Sequence, residues 1–119
     1  RHRPHGAKVP RVPRDREAEQ RRTETGRHDE AVARVSHLPH VIAEALALVG
    51  DRGGTLAQSL SAGSFRGATR VASTEPELVR NMCETNAESL VPVLDEFITL
   101  LQAGTQCIAT ALNLIVPCP

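Results

Sequence analysis

The amino-acid sequence predicts an all-α domain behind a disordered, basic N-terminal arm, and three observations predict it. Residues 28–103 are rich in Ala and Leu, and their apolar positions recur at helical spacing. Trp and Tyr are absent and Phe occurs only as Phe65 and Phe97, so the core must be aliphatic. The zero net charge over 119 residues is made of two unequal blocks: nine Arg/Lys against four Asp/Glu in residues 1–27, and five against ten in residues 28–119. A domain this small has little stability to spare, and burying a face against a second copy is an easy remedy.

Residues 1–27 hold Pro4, Pro10 and Pro13 and no apolar period, which reads as an unstructured arm. The first helix is expected from His28-Asp29-Glu30, where acids favour a helix start. Its core stripe is Val35, Leu38, Ile42, Ala45, Leu46 and Val49. In that phase Ser36 and His40 share one shoulder of the stripe, while His37 falls on the wetter side. Pro39 removes a backbone donor and should kink the helix beside the Val35 carbonyl. Gly50-Asp51-Arg52-Gly53-Gly54 ends the helix; a short helix over Thr55–Ala62 should come next. The stretch Gly63 to Arg70 reads as a loop or broken helix anchored by Phe65. Thr74-Glu75-Pro76-Glu77 has the form of a capping box opening a helix that runs to Gly104, bent or divided at Pro92. A helix of about 27 residues on so small a domain suits a dimer seam. The tail, 104–119, is apolar and uncharged.

Cys83, Cys107 and Cys118 form no metal-type or redox-type spacing, so reduced thiols and a cytoplasmic location are expected. Residues 1–27 hold no apolar run of the secretory-leader type, so no secretory signal is expected, and the apolar run Cys107–Val116 is too short to span a bilayer, so no membrane association is expected. His37 and His40 lie three apart without an evident third ligand, so no metal is expected either. The arm's acids dilute its arginines and it lacks aromatics for stacking, which argues against a nucleic-acid partner. The sequence has no phosphate-binding glycine loop and no nucleophile elbow.

Two side chains remain as candidates. His40, with Ser36 one turn below and alanines above, either faces a groove open to a ligand or is satisfied by a backbone carbonyl. Arg70, just before the capped helix, either clamps a carboxylate bidentately or pairs with a surface Glu.

Three stretches, taken in order, carry a family resemblance. They are His28-Asp29-Glu30-Ala31-Val32-Ala33-Arg34-Val35-Ser36-His37-Leu38-Pro39-His40, then Gly63-Ser64-Phe65-Arg66-Gly67-Ala68-Thr69-Arg70-Val71-Ala72, then Glu75-Pro76-Glu77-Leu78. Residues 28–103 resemble the C-terminal helical domain of the prephenate dehydrogenase family, which includes arogenate and cyclohexadienyl dehydrogenases. The resemblance implies a homodimer that closes over prephenate or arogenate, with NAD or NADP held by a Rossmann domain elsewhere. The implied reaction is oxidative decarboxylation of prephenate to 4-hydroxyphenylpyruvate, on the way to tyrosine. It further implies that Arg70 binds a substrate carboxylate, that Ser36 and His40 line the same pocket, and that Gly63 lets backbone approach the ligand. Tyrosine is a candidate inhibitor beside His40. Where many members carry a pocket Trp this chain has Val79. The dinucleotide domain and its catalytic histidine do not occur in these residues, and neither 1–27 nor 105–119 resembles the family's continuation. A truncated or frame-shifted fragment without turnover of its own is therefore expected. The competing expectation is a non-catalytic helical dimerisation module with a vestigial pocket.

Overall fold

Helix after helix, the chain keeps to the all-α plan, in a computed structural model that describes the backbone of residues 12–112 and the side chains of 16–112. The described residues form α1 (Val12–Val32), a π-helical turn (Ala33–His37), α2 (Leu38–Arg52), α3 (Gly54–Leu60) and α4 (Gly63–Thr69). A 3₁₀ turn (Arg70–Ser73), α5 (Pro76–Thr85) and α6 (Ala87–Ala111) complete them, and no strand occurs among the described residues.

α1 starts well before His28, inside the segment expected to be an unstructured arm. Pro13 is its second residue, where the missing N–H would have had no helical partner in any case. The helix is polar all round, and its Arg, Glu, Gln and Ala content supports it locally rather than by burial. Gln20 donates to Glu24 at 3.3 Å, and Arg34 reaches back to Glu30 at 3.0 Å. The part of the expected arm before residue 12, and the tail beyond 112, lie outside the described residues.

The π turn changes which residues face inward. The Leu38 N–H bonds the Ala33 carbonyl, five residues back, and Pro39 has no N–H to give to Val35. One extra residue in the turn rotates α2 by about 100° relative to an unbroken α-helix. The expected stripe is corrected accordingly: Val35 is 77% exposed and Val49 65%, while Ala33, Ala43 and His37 are buried. Further corrections concern the ends of helices. The Thr74 capping box is not formed; Glu75 occupies the cap position without a side-chain bond, and Pro76 opens α5. The long helix breaks at Asn86, not at Pro92, which lies inside α6. Gly104 does not stop α6, which continues to Ala111.

Elsewhere the turn chemistry agrees with the residues. α2 ends at Arg52, and Gly54 takes the left-handed φ of +71° that a side chain would resist. Phe65 does anchor α4: its ring lies so close over Gly50 that a Cβ there would meet it at 2.4 Å. The core centres on Ala33, Leu90 and Val93, with Leu38, Val41, Cys83 and Leu94 packed around them. It joins the π turn to the start of α6.

Much apolar surface is left outside that core. On α6, Leu94, Ile98, Leu101, Thr105, Ile108 and Leu112 succeed each other at alternating spacings of four and three, the pattern of a helix–helix seam. Ile98, Leu101, Ile108 and Leu112 are each about half exposed or more. The radius of gyration, 23.5 Å, compares with about 13–14 Å for a compact domain of this length. One helical run, Arg16–Arg52, is also long and apolar enough by composition to cross a membrane, with a mean hydropathy of 1.3 in its most apolar stretch. That run contains Arg34, Glu44 and the His37/His40 pair, and α6 and the 3₁₀ turn pack against it.

Candidate functional site

The missing donor at Pro39 and the π turn beside it set the geometry of the candidate residues. His40, half-buried on α2, places its Nδ1 2.8 Å from the Ser36 carbonyl. A carbonyl only accepts, so Nδ1 carries the hydrogen and donates it; in the neutral form of the ring Nε2 is then the acceptor. Ser36 and His40 are thus brought together, through the Ser36 backbone.

Arg70 begins the 3₁₀ turn, which packs along α2, the helix that carries His40. It is exposed, and no ion pair to its guanidinium occurs among the described residues. Its surroundings are held by short local bonds. Ser73 Oγ donates to the Arg70 carbonyl at 2.9 Å, and Thr69 Oγ1 donates back to the Phe65 carbonyl at 2.7 Å. The Thr69 hydroxyl is therefore turned into α4. Gly63 opens α4, is exposed, and would meet nothing within 4 Å if it carried a Cβ. Its neighbours Ala62 and Ser64 border an open cleft of about 400 Å³, whose other walls include Ala47, Gly50, Asp51 and Phe65. Along α2, His40 and Ala47 are seven residues, or about 10 Å, apart. The cleft beside Gly63 thus lies farther along α2 than the Ser36–His40 pair. Val79 is 5% exposed, a core residue of α5.

His37, expected on the wetter side, is 8% exposed. Asn86, at the break between α5 and α6, reaches it: Asn86 Nδ2 lies 3.3 Å from His37 Nδ1 and donates to the Asp29 carbonyl at 2.8 Å. Sequence reasoning placed His37 on the wrong side and missed Asn86 altogether. The one available signal was an Asn, a poor helix former, in the middle of an apparently continuous helical period.

Two other groups have shifted ionisation. Hydrogen bonds to Glu96 and then Glu30 hold Arg34 charged beyond the ordinary guanidinium, tying the π turn to α6 at 2.7 Å. Burial first, and then the nearby Glu44, push the Cys83 thiol up. Among the described residues no group of three His, Cys, Asp or Glu is placed to hold a metal ion.

Comparison with known proteins gives a consistent result. A family model described as the prephenate dehydrogenase dimerization domain matches residues 24–112, a span wider at both ends than the motifs alone suggest. The chain is 46% identical over 89 residues to the cyclohexadienyl dehydrogenase of Zymomonas mobilis, covering 70% of this chain and 30% of that protein. A solved structure from Corynebacterium glutamicum, assigned as a prephenate dehydrogenase, is 58% identical with a TM-score of 0.65. It covers 66% of this chain and 25% of that one, so the chain spans between a quarter and a third of the relatives it matches. On this match the chain belongs to the prephenate dehydrogenase family, by way of that family's helical dimerization domain.

Proposed function

We propose that this chain is the substrate-holding and dimerising part of an NAD(P)-dependent dehydrogenase acting on prephenate or arogenate in tyrosine biosynthesis, in the cytoplasm. The observation that carries the reading is the pairing of two features at one helix. His40 is oriented by the Ser36 carbonyl, and an exposed Arg70 stands on the turn packed against the same helix. A guanidinium free to engage a carboxylate bidentately suits a dicarboxylate such as prephenate. Ser36 and the His40 Nε2 acceptor would line the rest of the ligand, and exposed Gly63 would let the ligand approach backbone. Tyrosine, sharing the carboxylate and ring, would compete there.

NAD or NADP does not fit the described residues, which are helical and provide no strand–glycine turn–helix cradle for a pyrophosphate. The dinucleotide would be held by other residues, and no turnover is expected from these 119 alone. The unpartnered seam of α6 supports a homodimer.

Thermal denaturation of the chain with prephenate, arogenate or tyrosine tests the reading. A ligand at 100 times its Kd should stabilise by about 2.7 kcal/mol, and Arg70→Ala should remove most of that gain. The second reading, a non-catalytic dimerisation module with a vestigial pocket, is favoured by His40 being satisfied within its own helix. No stabilisation by any of the three ligands would select it.

A further inference from the structure

We propose that Asn86 is a positioning residue for the Ser36–His40 pair, acting through His37. The proposal rests on the substrate-binding reading only for its functional consequence; the geometry stands by itself.

Asn86 joins four parts of the chain. Its N–H closes α5 on the Met82 carbonyl at 3.2 Å, and its carbonyl opens α6 by accepting from Leu90 at 2.9 Å and Ser89 at 3.2 Å. Its side-chain amide leaves both helices and crosses to the other layer. There it donates to the Asp29 carbonyl on α1 at 2.8 Å and lies 3.3 Å from His37 Nδ1 on the π turn. The Asp29 carbonyl fixes which way the amide points, because the flipped amide would set two oxygens against each other. An amide nitrogen has no lone pair to offer, so His37 Nδ1 must be the acceptor. In this arrangement the hydrogen of the His37 ring sits on Nε2, the opposite tautomer from that of His40.

The coupling between the two histidines comes from the turn between them. Pro39 supplies no backbone donor, so this stretch has lost one of the bonds that would set its phase. The turn is restrained by the Leu38 N–H bond to Ala33, by the burial of Ala33 against Leu90 and Val93, by the Arg34–Glu96 ion pair, and, at the residue next to Ser36, by the anchoring of buried His37 by Asn86. Ser36 directly precedes His37, and its carbonyl is the one that orients the His40 ring. With His37 released, the turn can rotate, and the Ser36 carbonyl moves from under His40.

Nitrogen-15 NMR of the histidine-labelled chain tests this, with His37→Gln and His40→Gln variants assigning the two rings. In the unsubstituted chain His37 should show an unprotonated Nδ1 and His40 a protonated Nδ1; a protonated Nδ1 on His37 overturns the proposal. The isosteric Asn86→Asp should invert the His37 tautomer, since a carboxylate can only accept; it also leaves the Asp29 carbonyl without a donor and repels it, so the anchor loosens and His40 should become a mixture of tautomers. Asn86→Ala serves as the second variant, and either one folding with an unchanged His40 signal also overturns the proposal. In binding assays with prephenate the same variants should weaken affinity about tenfold, the equivalent of one hydrogen bond. If prephenate binds neither the variants nor the unsubstituted chain, the substrate reading fails while the tautomer result still decides the role of Asn86.

Discussion

Around the π turn, Ala33, Leu90 and Val93 are closed off from solvent, and Asn86 ties α1, α5 and α6 together with bonds made inside one chain. Along the second half of α6, by contrast, Ile98, Leu101, Ile108 and Leu112 stand in solvent in a regular four-three stripe. The two regions share one helix, since Leu90 and Val93 lead directly into the stripe. Side by side, they separate apolar residues that the fold buries from apolar residues that it leaves exposed. The first region organises the candidate site; the second has the spacing of a helix–helix seam, which is where the proposed dimer would form.

Charge placed in that stripe should have the strongest consequence. Leu101→Glu puts a carboxylate at its centre, and burying an unpaired charge in a dry seam costs several kcal/mol. Sedimentation should show the proposed dimer falling to monomer while helical circular dichroism is retained, because Leu101 takes no part in the core around Ala33. A variant that stays dimeric would place the seam elsewhere. Next in size is Leu90→Ala at the hub. With Leu90 only 3% exposed, the truncation should cost about 2–5 kcal/mol in urea unfolding. Here the oligomeric state of the folded fraction should not change. If Leu90→Ala dissociated the chain and Leu101→Glu merely destabilised it, the assignment of the two regions would be reversed.

The same contrast separates the legible part of the sequence from the rest. The all-α class, the short helix after α2 and the anchoring by Phe65 obey local rules, and the structure has them; the turn expected over Gly50–Gly54 shrinks to Gly53, because α2 runs on to Arg52 and α3 starts at Gly54. The α5 start lies within a residue or two of the expected one, although its cap is Glu75 and not Thr74. The failures have a common cause: they depend on helical phase or on partners distant in sequence. A π turn cannot be seen in a period of 3.6, so that period puts Val35 in the core and His37 in solvent. Asn86 divides α5 from α6 because its amide finds Asp29, 57 residues away, whereas Pro92, the local breaker, sits within the second turn of α6. In α1, low apolarity reads as disorder although Arg, Glu and Gln are good helix formers. Of the candidate site, the Ser36–His40 pairing is legible because i and i+4 meet on any helix, but the bond runs to the Ser36 carbonyl and not its hydroxyl. The His37–Asn86 anchor is not legible at all.

Gly104 provides a smaller but more discriminating prediction. Glycine at the middle of a helix is normally unfavourable, and this one has neither a left-handed φ nor any atom within 4 Å of where a Cβ would stand. In the Leu101→Glu background, where the chain should be monomeric, Gly104→Ala should therefore stabilise by about 0.5–1 kcal/mol. The dimer adds a second condition. At 100° per residue Gly104 lies about 80° around α6 from the middle of the stripe, on its flank. A partner helix seated on Ile98, Leu101 and Ile108 would pass that flank without touching the added methyl group, so the gain should persist when the unsubstituted dimer carries Gly104→Ala. Loss of the gain on dimerisation would mean that the two helices approach most closely over Gly104. The seam would then run along Phe97, Leu100 and Gly104, one row over from the four-three stripe.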